Sequence, residues 1–143
     1  VTSPLSIAIH KDSGDIYVGS EDCVFVFNKD GVHKNTIGSE GNCLFQFNRP
    51  CGLAIKGNVL YVADCNNHRI QKLDLRGTFA YAFGRRGQRD GEFNSPIAVV
   101  VDFNDRLIVA DQGNHRIQVM TLDGTFLMSI HQSESLKLDL SNI

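Results

Sequence analysis

Leu60–Phe79 reads LYVADCNNHRIQKLDLRGTF, and Leu107–Phe126, 47 positions later, reads LIVADQGNHRIQVMTLDGTF. A second pair, GSEGNCLFQFNRP from Gly38 and GRRGQRDGEFNSP from Gly84, aligns Gly on Gly and Pro on Pro at an interval of 46. A weaker third copy opens the chain: SPLSIAI from Ser3 matches SPIAVVV from Ser95, and IYVGSEDCVFVFNKDG from Ile16 keeps the same order of apolar and polar positions. Pro4, Pro50 and Pro96 stand 46 residues apart, whereas the first copy lacks the Asn-His-Arg element and is two residues shorter between its Tyr-Val and Asp-Gly. The chain is therefore expected to divide into units at 1–46, 47–92 and 93–143, the first of them degenerate.

A repeat of this length means stacked supersecondary units, and alternation decides whether each unit is helical or β. In the middle copy Leu53–Lys56, Val59–Asp64, Arg69–Leu75 and Thr78–Phe83 are short runs rich in β-branched, aromatic and aliphatic residues, separated by turn-forming Gly and Asn. No stretch of ten or more residues carries a 3.6-residue apolar period, which excludes helical solenoids. Four strands in one repeat is the arithmetic of a propeller blade. Runs such as IAVVVDF from Ile97, apolar with little alternation, suit sheets covered on both faces. The expected fold is all-β: a β-propeller segment of three four-stranded antiparallel blades.

The elements VADCNNHRIQ and VADQGNHRIQ, preceded by the Gly-Asp-Ile-Tyr-Val element at Gly14 and the Pro-Cys-Gly element at Pro50, resemble the NHL repeat. The resemblance covers nearly the whole chain, is partial in the first copy, and is closest to the C-terminal propeller of TRIM-NHL proteins, which carry RING, B-box and coiled-coil regions upstream. It implies a recognition module that selects a protein or RNA target for a ubiquitin ligase whose zinc-binding and catalytic parts lie elsewhere, in the cytoplasm. The rival WD40 blade is not matched, because the chain contains no Trp.

The signature also has a physical reading. Asp64 and Asp111 end a strand and can accept backbone N–H groups of the following turn, Asn66, Asn67 and Asn114 tolerate turn dihedrals, and Arg69 and Arg116 can pair back to the Asp. Asp64, Arg69, Asp111 and Arg116 are thus expected to be a structural clamp repeated with the blade. Meander order brings the loops Asp64–Arg69, Asp111–Arg116 and Gly84–Pro96 to one end of the blades. Arg85, Arg86, Arg89, His68, Asn67, His115 and Asn114 are accordingly the candidate partner-binding or RNA-binding rim, with guanidinium forks suited to phosphate and carboxylate groups. A solvated inter-blade loop is the simpler reading of the same residues, and Asp90 and Glu92 dilute the charge.

Other chemistry has less support. At 42% hydrophobic and 21% charged residues with net charge −2, the composition is that of an ordinary globular domain with no overall pull on nucleic acid or acidic lipid. No apolar run approaches the roughly 20 residues of a membrane helix. Asp64, Asn66 and His68 superficially follow a calcium loop, but its twelfth position falls on Leu75, and on Leu122 in the next copy. The histidines give no HxH or HExxH spacing, no GxSxG turn occurs, and no cofactor is expected. A propeller enzyme of similar build, the peptide-amidating lyase, holds zinc in its central cavity, and no such ligand set stands out here. Cys23, Cys43, Cys51 and Cys65 form no CxxC pair and are expected to be free thiols in a reducing compartment, with Cys43, Cys51 and Cys65 gathering near one rim. The chain opens at Val1 without an initiator Met and is expected to have been cut from something longer. Three blades leave two apolar faces open, so missing blades or a second copy are expected to complete the ring.

Overall fold

Three antiparallel four-stranded meanders follow one another along the chain in the computed structural model, which describes residues 1–131. Blade 1 comprises β1 (Ser6–Ile9), β2 (Ile16–Gly19), β3 (Val24–Phe27) and β4 (His33–Ile37). A short parallel pair, β5 (Ser39–Glu40) and β6 (Gln46–Phe47), lies in the linker to blade 2. Blade 2 comprises β7 (Pro50–Lys56), β8 (Val59–Asp64), β9 (Arg69–Asp74) and β10 (Ala80–Phe83). Blade 3 comprises β11 (Pro96–Val101), β12 (Arg106–Asp111), β13 (Arg116–Thr121) and β14 (Phe126–His131). The end of the third sequence unit, 132–143, lies outside the described residues.

Three strand limits differ from expectation. Strand β7 begins at Pro50 rather than Leu53, because a bulge between Pro50 and Gly52 lets the Pro-Cys-Gly stretch pair with Asp64 despite its turn-like composition. Strand β9 stops at Asp74 and not Leu75, and β10 starts at Ala80 and not Thr78, because the Asp74 carboxylate accepts the amides of Thr78 and Phe79 and folds those residues into the turn.

The core lies between the sheets. In β8, Leu60 and Val62 join Tyr17, Val24 and Ile37 of blade 1, whereas Tyr61 and Ala63 join Val99, Leu107 and Val109 of blade 3. A strand buried on both faces has no polar alternation to display, which explains VLYVA. Burying one such aliphatic side chain contributes about 1.5–3 kcal/mol. The inner strands β7 and β11 approach closely at Gly52, where a Cβ would lie 2.8 Å from the Ala98 Cα. No larger residue fits that crossing without moving backbone.

Each inter-blade linker carries one aromatic plug. Phe47 and Phe93 are fully buried, one per junction. Gly84, at φ 90°, turns the chain beneath Phe93, and a Cβ there would sit 2.4 Å from the ring. No helix among the described residues is long and apolar enough to cross a membrane.

Candidate functional site

The β8–β9 and β12–β13 loops hold the inter-blade linkers at one end of the sheets. Asp64 ends β8 and is fully buried; its Oδ2 accepts from Arg69 Nε at 2.8 Å and from Asn67 Nδ2 at 2.9 Å, and its Oδ1 accepts the Asn48 amide at 2.8 Å. Arg69 then donates to the carbonyls of Asn42, Cys43 and Gln46 in the linker. One repeat later Asp111 accepts from Arg116 Nε at 2.8 Å, from Asn114 Nδ2 at 2.9 Å and from the Asn94 amide at 2.7 Å, and Arg116 donates to the Arg89 and Glu92 carbonyls. Each buried carboxylate is thus paired and fully hydrogen-bonded, which offsets the cost of removing the charges from water.

Gln71 and Gln118 complete the clamp and received no role from the sequence. Gln71 donates to the Gln46 carbonyl at 2.6 Å and accepts the Phe45 amide; Gln118 donates to the Glu92 carbonyl at 2.6 Å and accepts the Gly91 amide. Both are fully buried. The available signal was the recurrence of Gln two residues after the clamp Arg in both full copies.

The candidate rim residues fall into three groups. Asn67 and Asn114 spend both amide protons internally, on Gly41 and Gly87 carbonyls and on the clamp carboxylates. Turn dihedrals in these loops also fall elsewhere than expected: Cys65–Asn67 and Gln112–Asn114 form single 3-10 turns, and the left-handed residues are His68 at φ 52° and His115 at φ 53°. Histidine is among the residue types that tolerate this region. His68 Nδ1 accepts the Ser95 amide at the start of the next blade at 3.0 Å, and burial, followed by the charge of Arg86, holds its pKa below the usual histidine value. His115 is exposed and lines a shallow depression with Arg116, Ile117, Ile130 and His131.

Arg85, Arg86 and Arg89 are all exposed on the linker to blade 3. Arg85 Nε pairs with Glu92 Oε1 at 3.0 Å, and Glu92 Oε2 accepts the Arg89 amide. That amide, with the neighbouring guanidinium of Arg85, lowers the Glu92 pKa. Arg86 and Arg89 have no carboxylate partner among the described residues. The linker's one aromatic, Phe93, is the buried plug, so the loop presents no ring to solvent.

Cys51 lies beside Cys65, whose thiol is pushed up to about 11 by burial and then by Cys51, and Cys43 is exposed. The described cysteines are free thiols. No group of three or more His, Cys, Asp or Glu side chains is placed to hold a metal ion among the described residues.

The NHL repeat family model matches residues 47–73 and 93–120, the segments that contain the two complete clamps. The chain is 42% identical over 66 residues to protein brain tumor of Drosophila melanogaster, covering 44% of this chain and 6% of that protein. It is 66% identical over 29 residues to NHL repeat-containing protein 2 of Gallus gallus, covering 20% of this chain and 4% of that protein. The chain thus spans a small part of these relatives. Among solved structures it is similar to a chain of the nidogen/laminin complex, at TM-score 0.73 and 16% identity, over 91% of this chain and 48% of that one. It is also similar to Kuenenia stuttgartiensis hydrazine synthase, at TM-score 0.71 and 15% identity, over 93% of this chain and 38% of that one. A streptogramin B lyase structure matches at TM-score 0.62 and 16% identity, over 88% of this chain and 39% of that one. At these identities the structural matches show the fold. The repeat matches show two NHL repeats in this chain, at 47–73 and 93–120, and the sheet order with the structural matches shows a β-propeller fold.

Proposed function

We propose that this segment is a non-catalytic recognition module that binds an acidic surface of a protein partner through the linker between blades 2 and 3, as the target-selecting part of a larger TRIM-NHL-type ubiquitin ligase in the cytoplasm. The observation that carries the reading is a division of labour among the rim cations. The repeat's own arginines, Arg69 and Arg116, are consumed by buried clamps, while Arg86 and Arg89 stand exposed without a carboxylate partner. Two guanidinium forks on a clamped loop offer pre-organised, bidentate recognition of carboxylates. The clamp, on this reading, positions the loop and takes no part in binding.

An RNA target draws less support. Single-stranded RNA recognition combines cations with stacking side chains, and the linker buries its one aromatic while Asn67 and Asn114 have no free amide proton. Likeness to the streptogramin B lyase structure is a likeness of fold and does not support an enzymatic reading.

The test compares wild type with the Arg86→Ala/Arg89→Ala double variant on an array of acidic peptides and on a single-stranded RNA about 20 nucleotides long, at low and moderate salt. Acidic peptides bound by wild type and lost by the variant support the proposal. Tight RNA binding that falls steeply with salt and disappears in the variant replaces it with the RNA reading. Equal behaviour of wild type and variant on both probes removes the linker from the interface.

A further inference from the structure

The two junctions inside the chain differ at the end of the sheets away from the linkers. Between blades 2 and 3, two ion pairs cross from one blade to the next: Lys56 with Asp105 and Lys72 with Asp123, each at 3.1 Å. The Lys72 ammonium also lies 5.8 Å from the centroid of the Tyr61 ring. One cation therefore sits between a tyrosine and a carboxylate and ties the blades together.

The junction between blades 1 and 2 has neither pair. Tyr17 faces Val26 across β2 and β3 as Tyr61 faces Lys72 across β8 and β9, so valine stands in the place of the lysine. Arg76 stands 47 residues before Asp123, so arginine stands in the place of the aspartate. His10 follows β1 where Lys56 ends β7, and Asn58 stands 47 residues before Asp105. No pair of opposite charges is available at either position, and a cleft of about 770 Å³ opens between the two blades. Both of its walls belong to this chain, and its volume lies within the roughly 300–1,000 Å³ of small-molecule sites.

The cleft's own groups leave donors over. Asp15 is engaged by Lys34 at 2.6 Å, and Asp74 by the Thr78 hydroxyl and the Thr78 and Phe79 amides. Arg76 is exposed and joins no ion pair among the described residues. Tyr17 is 4% exposed, lines the cleft, and its hydroxyl has no hydrogen-bond partner among the described residues. Every sealed side-chain polar atom among those residues has a partner, so this hydroxyl opens onto the cleft. Burial, and then the charge of Asp15, raises the Tyr17 pKa, so the oxygen keeps its proton and donates. Val26, Leu75 and the Tyr17 ring supply apolar lining.

We propose that this cleft binds a small organic acid whose carboxylate accepts from the Tyr17 hydroxyl and the Arg76 guanidinium. The carboxylate takes the place that the Lys72 ammonium holds in the other junction, with the sign of the charge reversed because Arg76 replaces Asp123. Arginine's planar fork suits a carboxylate, and the hydroxyl supplies a second donor already stripped of most of its water. The apolar body of the acid lies on Val26 and Leu75. Formal charges in the cleft balance, Lys34 and Arg76 against Asp15 and Asp74, so selectivity rests on the unspent donors and not on a general positive field. The site is distinct from the Gly84–Pro96 linker, which lies at the other end of the sheets.

The test is NMR titration of this 143-residue chain with benzoate, hexanoate and inorganic phosphate, with folding followed by far-ultraviolet circular dichroism. Benzoate or hexanoate is expected to shift the amides of Asn58, Arg76 and Thr78 saturably and to leave those of β12 and β13 unmoved. Tyr17→Phe removes one donor and no internal hydrogen bond, and is expected to keep the fold while weakening the carboxylate about tenfold. Arg76→Ala, at an exposed turn position, is expected to do the same. Val26→Lys/Arg76→Asp rebuilds the Lys72–Asp123 arrangement and is expected to abolish binding in a folded chain; should it fail to fold, the two single variants decide. Saturation by neither carboxylate, tighter binding of phosphate than of both, or carboxylate affinity unchanged in Tyr17→Phe and Arg76→Ala overturns the proposal.

Discussion

Arg116 donates through Nε to Asp111 Oδ2 at 2.8 Å while its Nη2 reaches the carbonyls of Arg89 and Glu92, so one guanidinium joins a strand end to the linker that precedes its blade. The Arg116 side chain is 5% exposed and that of Asp111 is fully buried. Removing the carboxylate strands a cation in the junction. Asp111→Ala is expected to destabilise the chain by about 3–5 kcal/mol, read as a fall in the urea midpoint. Asp64→Ala should cost less, because the Arg69 side chain is 13% exposed and can turn toward water. Equal losses at both sites would contradict the role given to burial.

Gln118 tests the part of the clamp that ties down the linker. Its carboxamide accepts the Gly91 amide at 2.9 Å and donates to the Glu92 carbonyl at 2.6 Å. Gln118→Ala leaves both backbone groups without that partner, and a loss of about 1–3 kcal/mol is expected. The local readout is hydrogen exchange. Gly91 should lose protection in the variant, whereas β12 amides exchange no faster than the global loss of stability requires.

How much of this arrangement was legible follows from what repetition can reveal. The blade length, the number of strands and the Asp–Arg pairing recur with the repeat, so comparison of Leu60–Phe79 with Leu107–Phe126 exposes them. Gln71 and Gln118 recur too, yet a glutamine inside a strand reads as a solvent-facing position, and only the linker that folds over the sheet buries it. Phe47 and Phe93 also recur, 46 residues apart, but each lies in a glycine-containing linker outside any long alternating run, which reads as loop. The left-handed turn residue was assigned to asparagine on propensity, whereas the register of the 3-10 turn puts it one residue later, on His68 and His115. What escaped the reading is the contact of each linker with the next blade, which no single strand pattern encodes.

Leu107 probes the apolar part of the junction between blades 2 and 3. It is fully buried in β12 among Tyr61, Phe93 and Val109. Leu107→Ala removes three side-chain carbons from a site closed on both sides by sheet, and a loss of about 2–5 kcal/mol is expected. Val100→Ala, at a 54% exposed position on the neighbouring strand β11, should change stability by no more than about 0.5 kcal/mol. Chemical denaturation of the two variants side by side separates core packing from general loss of aliphatic surface.

The contact between His68 and Ser95 makes stability depend on pH in a defined direction. His68 Nδ1 must be unprotonated to accept the Ser95 amide, and burial together with Arg86 lowers the folded-state pKa from 6.5, against a smaller opposing pull from Asp111. Between the unfolded value and the lower folded value the unfolded chain binds more protons, so stability rises with pH across that window. The contribution is therefore present in full above 6.5, declines as the pH falls through that value, and stops declining below the folded pKa. Urea midpoints measured at about pH 7.5 and about pH 5.5 should differ more for the wild type than for His68→Gln, in which no proton is taken up at this position. Carboxylates elsewhere contribute equally to both proteins and cancel in the comparison. A difference of the same size in the two chains would mean that the imidazole titrates alike whether or not the junction is formed.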